Sequence, residues 1–246
     1  MYTKIVGHRG YKRKYPENTL LSFQKAITYG ADSVELDVHL SKDDKLIIHH
    51  DYSLGDPDNG NGFIFNRDSE YIKSLNANIN FHDEKIPLLE EVFKKLGTKT
   101  HYEIEMRGLT EDFVENVIAL IKQYKLIDFI EFTSPHNYLL SYLKNKYPSV
   151  KIGMFVNTFP AWMSLELGQK IAKANAIFGN VSVLHCPLNI LTKDYINELH
   201  NENLLIHAAD CNTEADLLKA YTLSVDQLST DNVKLALQIR NKCYEK

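Results

Sequence analysis

Cysteine is scarce. The three present, Cys186, Cys211 and Cys243, are an odd number at wide spacing, which fits neither a disulfide framework nor a zinc knuckle. A reducing compartment is the simplest reading. Long apolar runs are missing too. No stretch approaches eighteen apolar residues, and the first seven residues pass straight into charged and polar ones without an apolar leader. No stable membrane insertion is expected, and the chain reads as cytoplasmic. Nor does one sign of charge dominate, since 28 Lys+Arg stand against 32 Asp+Glu for a formal net charge of -4. Such a chain has no global field to hold a polyanion, so nucleic acid is not an expected partner.

What the chain does have is alternation. Short β-branched runs at residues 4–7, 33–40, 102–106, 129–133, 151–156, 181–184, 204–207 and 227–230 alternate with helical patterns, the mark of repeated βα units around a parallel sheet. Eight is the number a closed barrel needs. Residues 19–29 and 111–124 carry apolar side chains at spacings of three and four, with Asn18 or Thr19 able to cap the first helix and Gly30 to end it. Residues 51–87, rich in Asp, Asn and Gly, break the rhythm. The expectation is an α/β TIM (β/α)₈ barrel, one domain over 1–246, with a short loop-rich insertion at about 51–87 after the second strand region. A 246-residue chain that is 44% hydrophobic can bury such a core. In this architecture function sits at the C-terminal ends of strands, which makes polar residues there suspect.

Glu35 and Asp37 lie two apart in the second strand run and so share a face. Burying two carboxylates side by side requires a cation. His101-Tyr102-Glu103-Ile104-Glu105-Met106-Arg107 repeats the pattern on the next strong strand. Three carboxylates without cysteine suit a hard ion such as Mg²⁺ or Ca²⁺, although a structural ion pair with Arg or Lys would satisfy the same spacing. His8 and His50 each follow a strand run. Two imidazoles at successive strand exits can supply one base and one acid in a single turnover. His49 is expected to point away from His50.

Gly7-His8-Arg9-Gly10, Pro16-Glu17-Asn18-Thr19, Glu35-Leu36-Asp37-Val38, Ser41-Lys42-Asp43 and His50-Asp51 occur in this order at short intervals. Together they resemble the signature blocks of the glycerophosphodiester phosphodiesterase family. Weaker similarity runs through Ile86-Pro87-Leu88-Leu89-Glu90-Glu91-Val92, Glu103, Ser134, Asn212 and Val225-Asp226 to Thr230-Asp231, hence over nearly the whole chain. The resemblance implies a TIM barrel and a metal-dependent hydrolase that releases an alcohol from a small glycerol 3-phosphate diester. It implies one divalent cation, Mg²⁺ or Ca²⁺, held by Glu35, Asp37 and Glu103. It further implies His8 and His50 as general acid and base, and Arg9 as a phosphate contact. In related barrels the substrate's own neighbouring hydroxyl attacks first and gives a cyclic phosphate that water opens.

Glu17 is expected to orient Arg9, and Asn18 either contacts phosphate or caps its helix. Asp51 either holds an imidazole tautomer or forms a turn. The family's third-strand block reads Glu, apolar, Lys, whereas Glu103-Ile104-Glu105 ends in an acid. Arg107 can supply the missing cation one step nearer the rim, or Glu105 can add a ligand, or the site can favour a positively charged alcohol. The family's aromatic residue near the seventh strand has become Ala209 or Asp210. Two rivals remain: a lipid-headgroup hydrolase of the phospholipase D or sphingomyelinase D kind, for which only residues 159–163 offer an apolar rim, and a non-catalytic phosphodiester-binding barrel. The oligomeric state is not readable.

Overall fold

A computed structural model describes residues 2–244, the side chain of His82 excepted; residues 1, 245 and 246 of the expected barrel domain lie outside the described residues. The strands are β1 (Lys4–Gly7), β2 (Ser33–Leu40), β3 (Leu46–Ile48), β4 (Ser53–Leu54), β5 (Gly62–Phe63), β6 (Asn76–Asn78) and β7 (Phe81–Lys85). They continue with β8 (His101–Met106), β9 (Ile130–Thr133), β10 (Lys151–Phe155), β11 (Val183–Pro187), β12 (Leu205–Ala209) and β13 (Gln227–Thr230). Strands β1, β2 and β8 to β13 pair in parallel, and β1 bonds to both β13 and β2, which closes a ring of eight. The fold is the expected TIM barrel.

The helices alternate with these strands. They are α1 (Leu20–Thr28), α2 (Ser69–Ser74), α3 (Leu89–Leu96), α4 (Glu111–Gln123), α5 (Asn137–Lys146), α6 (Leu165–Phe178), α7 (Lys193–Asn201), α8 (Glu214–Leu223) and α9 (Val233–Tyr244). Their starts are chemically marked: Thr19, Thr110, Ser164, Thr192 and Thr213 each accept a backbone N–H of the first turn through the side-chain oxygen. Among the described residues no helix is long and apolar enough to cross a membrane.

Strand alternation sorts the side chains into two layers. Val34, Leu36, Val38, Tyr102, Ile104 and Met106 are buried in one large apolar cluster that also takes in Phe23, Val92, Val117 and Ile121 from the surrounding helices. Glu35, Asp37, Glu103 and Glu105 therefore face the barrel interior. An interior filled by Val, Ile and Leu layers is the rule for this fold. Here it is ionic, which moves the apolar core outward to the strand–helix interface.

Two local features set up the rim. Strand β2 runs on past the barrel, and β3 folds back antiparallel on it, with Val38 opposite Ile48 and Leu40 opposite Leu46. His49 N–H then donates to the carbonyl of Asp37 at 3.1 Å, which returns His49 and His50 to the mouth. After β1, Gly10 has φ +86°, and a Cβ there would run into Ser22 of α1. Only glycine allows the loop to turn so tightly against the helix. The stretch at 51–87 is not plain loop: β4 pairs with β5, β6 with β7, and Ile47, Leu54, Ile64, Ile72, Leu75 and Ile86 form a second small apolar cluster.

Candidate active site

The C-terminal mouth gathers most of the residues singled out in the sequence. The His8 Nδ1 lies 2.8 Å from Asp231 Oδ1 and 3.7 Å from Asp210 Oδ1. Asp231 immediately follows β13, and its position is fixed by Asn212, whose Oδ1 accepts the Asp231 N–H at 2.7 Å. The His50 Nδ1 lies 2.7 Å from Asp51 Oδ1, so Asp51 contacts the imidazole beside it. The His50 carbonyl is 3.2 Å from His39 Nε2. Each imidazole thus has Nδ1 engaged by a carboxylate, which assigns the proton to Nδ1 and leaves Nε2 as the basic nitrogen. Burial lowers the His50 pKa, with the Asp37 carboxylate opposing and Arg9 and Arg107 adding to the shift. His49 does point elsewhere, to Asp58 Oδ2 at 3.0 Å.

Glu35, Asp37 and Glu105 each offer a carboxylate oxygen, and these oxygens lie within 4.8 Å of one another. The third acid of this group is Glu105 and not the expected Glu103. Register explains the difference, because Glu35 pairs with Glu103 and Asp37 with Glu105 along β2 and β8. Glu103 belongs to a separate group with Glu131, His185 and His207. Shifted by one strand period, Glu105-Met106-Arg107 itself has the order acid, apolar, base.

The electrostatics of the triple are unfavourable without a cation. Burial first, then Asp37 and Glu105, push the Glu35 carboxyl well above its ordinary range. Burial and Asp37 push Glu105 up to about 7. Burial also works against ionised Asp37, but Arg107 and Arg9 more than offset it and hold that carboxyl low. Arg107 spans two acids, with Nε 2.9 Å from Asp37 Oδ1 and Nη2 2.7 Å from Glu105 Oε1. Arg9 donates its backbone N–H to Glu35 Oε2 at 2.7 Å, from a residue at φ 53°. Its guanidinium reaches Glu17 Oε1 at 2.9 Å. Arg9 Nε stands 3.4 Å from Asp37 Oδ2 without hydrogen-bond alignment. Asn18, with φ 55°, donates to Asp37 Oδ2 at 2.8 Å, and Thr19 caps the helix instead. Lys12 sits 3.6 Å from Asp231 Oδ1 and 3.8 Å from Glu17 Oε2.

A buried Glu35 Oε1 lacks any hydrogen-bond partner among the described residues. An all-oxygen triple with an unpartnered buried oxygen, and with two of its carboxyls, Glu35 and Glu105, raised, fits a hard divalent ion. Sequence reasoning missed Asp231 as a partner of His8, and it offered Glu105 only as an added ligand beside Glu103. Asp231 carried two signals, its place in the Thr230-Asp231 similarity and its position directly after a strand run. On the β10–α6 loop the apolar patch divides, since a Cβ at Gly168 would meet the Phe159 ring whereas Trp162 is 76% exposed.

Known proteins resemble this chain in sequence and in fold. The family described as the glycerophosphoryl diester phosphodiesterase family matches residues 8–235. A glycerophosphodiester phosphodiesterase of Caldanaerobacter subterraneus subsp. tengcongensis is 37% identical over 162 residues, 63% of this chain and 67% of the relative. One from Bacillus altitudinis is 29% identical over 249 residues, 98% and 99% of the two chains. The solved phosphodiesterase of Oleispira antarctica, in complex with the product sn-glycerol-3-phosphate, superposes with a TM-score of 0.85 at 23% identity, covering 97% of this chain and 96% of that one.

Proposed function

The chain belongs to the glycerophosphoryl diester phosphodiesterase family, an enzyme family, and from that premise we propose that it hydrolyses glycerophosphodiesters to glycerol 3-phosphate and an alcohol. The observation that carries this reading is the shared rim, where two Asp-bound imidazoles, three clustered acids and two guanidinium groups face one mouth. The product bound in the Oleispira antarctica relative is the one expected here.

Glu35, Asp37 and Glu105 would hold one divalent cation, Mg²⁺ or Ca²⁺. When bound, such an ion draws charge from a non-bridging phosphoryl oxygen and orients phosphorus for in-line attack. Arg9 and Arg107 contribute fork-shaped donors to the phosphate; among the described residues Arg9 Nε has no hydrogen bond to give up. Asn18 and Glu17 hold Asp37 and Arg9 in place.

His8 and His50 divide the proton transfers. One imidazole takes the proton of the substrate's neighbouring hydroxyl as its oxygen bonds to phosphorus. The other gives its proton to the alcohol oxygen as the phosphorus–oxygen bond to that group breaks. Water then opens the cyclic phosphate with the two roles exchanged. Asp231 and Asp51 favour the tautomer with Nε2 free and stabilise the cationic imidazole. The reaction would place the protein in glycerol and lipid metabolism, in the cytoplasm.

The direct test is release of glycerol 3-phosphate from glycerophosphocholine, glycerophosphoethanolamine and glycerophosphoglycerol, with added Mg²⁺ or Ca²⁺ and with EDTA. Turnover of at least one substrate, abolished by EDTA, is expected. No turnover on any of them with metal present overturns the proposal. Rapid quench of a slow substrate or of His50→Ala should trap the cyclic product, and its absence removes the two-step route.

A further inference from the structure

Below the rim, the barrel encloses a second constellation. Glu103 from β8, Glu131 from β9, His185 from β11 and His207 from β12 each offer one ligand atom, all within 4.8 Å of one another, and all four residues are buried. We propose that this interior cluster is a second metal site, selective for a divalent transition ion of the Zn²⁺ class, with Glu103, His185 and His207 as ligands and Glu131 holding His185 in orientation.

The geometry supports each part. His185 Nδ1 lies 3.4 Å from Glu103 Oε1, and His207 Nδ1 lies 3.3 Å from Glu103 Oε2. Two ligand atoms that share one zinc at about 2.0–2.1 Å stand roughly 3.3 Å apart at the tetrahedral angle. His185 Nε2 meets Glu131 Oε1 at 2.7 Å, the carboxylate–imidazole pairing that fixes the tautomer of a ligating histidine. Gly153 makes room for that pairing, since a Cβ there would lie 2.9 Å from Glu131 Oε1 and would strike the His185 ring.

One atom of the cluster points to an absent partner. Glu103 Oε2 is buried and makes no hydrogen bond among the described residues, and Glu103 is only 4% exposed. Leaving such an atom buried without a partner opposes folding. Gln227 Nε2, 3.1 Å from His207 Nδ1, would yield that nitrogen to the ion while keeping its contacts with both Glu131 oxygens at 3.2 and 3.1 Å.

There is also a way in. At the N-terminal mouth, opposite the candidate active site, a cavity of ≈ 230 Å³ is lined by Lys4, Ser33, Glu103, Glu131, Lys151 and Gln227. Lys151 Nζ, on the wall of this cavity, lies 2.7 Å from Glu131 Oε2. Mixed imidazole and carboxylate donors select a transition ion, whereas the oxygen-only rim triple selects Mg²⁺ or Ca²⁺. The two sites thus take different ions from opposite mouths. An ion bridging β8, β11 and β12 would act as a staple across the barrel.

The test uses Glu105→Gln, which weakens the rim triple and leaves the interior untouched. Titration of the chelator-treated Glu105→Gln protein with Zn²⁺ is expected to show one bound equivalent and a rise in Tm. Co²⁺ in its place should give the intense visible band of a four-coordinate ion, with X-ray absorption reporting two imidazole nitrogens. Adding Glu103→Gln or His207→Gln should abolish the bound equivalent. No Zn²⁺ binding by Glu105→Gln overturns the site, as does binding that survives both second substitutions. Should those double variants fail to fold, the Co²⁺ protein still decides: a ligand set of oxygen alone overturns the site.

Discussion

His8 Nδ1 is 2.8 Å from Asp231 Oδ1, so the residue after the first barrel strand is hydrogen-bonded to the residue after the last. The pair spans 223 positions in the chain and exists because β1 pairs with β13. Closure of the barrel and preparation of the imidazole are one event. The acid is itself held low, since His8 and Lys12 outweigh the burial that would raise it.

Replacement of Asp231 by Asn should leave the fold intact and remove the tautomer preference. A fall in kcat of roughly 10²- to 10⁴-fold is expected, the range for losing positioned acid–base catalysis, with KM little changed. Steady-state kinetics on glycerophosphocholine checks it. An unchanged kcat would remove His8 from the chemistry.

The two glutamates of β8 have separable roles. Glu105→Gln should weaken Mg²⁺ or Ca²⁺ binding by at least roughly 10- to 100-fold, because even residues that only orient ligands cost that much. Glu103→Gln should leave the Mg²⁺ or Ca²⁺ dependence of turnover close to that of the parent. Metal titration of activity for the two variants gives the comparison, and the reverse ranking would restore Glu103 to the catalytic ion.

Arg107 joins Asp37 to Glu105 through two different nitrogens. A lysine carries the charge but cannot span both acids, so Arg107→Lys should lose about 1.5–3 kcal/mol of interaction, roughly 10- to 100-fold in kcat/KM. Retained kcat/KM would show that charge alone suffices.

Glu105, raised to about 7, makes stability depend on pH in a defined direction. Between its ordinary range and about 7 the folded protein binds more protons than the unfolded chain, so stability falls as pH rises through that window. The loss from this group is on the order of 3 kcal/mol at most. Thermal unfolding of the chelator-treated protein should show Tm declining from pH 5 to pH 8, and saturating Mg²⁺ or Ca²⁺ should flatten the decline. A Tm that rises over this interval without metal would contradict the arrangement of the triple.

Much of the barrel was legible because strand and helix periods are local properties. The runs at 4–7, 33–40 and 227–230 coincide with β1, β2 and β13, and the helix pattern at 111–124 with α4. Two strands were placed too early: β11 and β12 end at Pro187 and Ala209, further along than 184 and 207. The extra residues include His185 of the interior cluster. Its other members, Glu103, Glu131 and His207, lie in the expected runs, but the four residues stand on four strands that only the closed sheet brings together. Buried polar residues interrupt the apolar signature by which strands are read.

Composition, period and motif order were sufficient by themselves for the barrel, the family and the identity of most rim residues, since each is written in neighbouring positions along the chain. Alternation also revealed that Glu35 shares a face with Asp37, and Glu103 with Glu105. Which face that is, and at what height each acid stands, was decided only by the closed sheet. Strand register set Glu105 level with Asp37, and the β1–β13 seam brought Asp231 to His8. Register and closure are relations between strands far apart in sequence, fixed by hydrogen bonding around the whole ring and by helix packing outside it, and no local pattern encodes them.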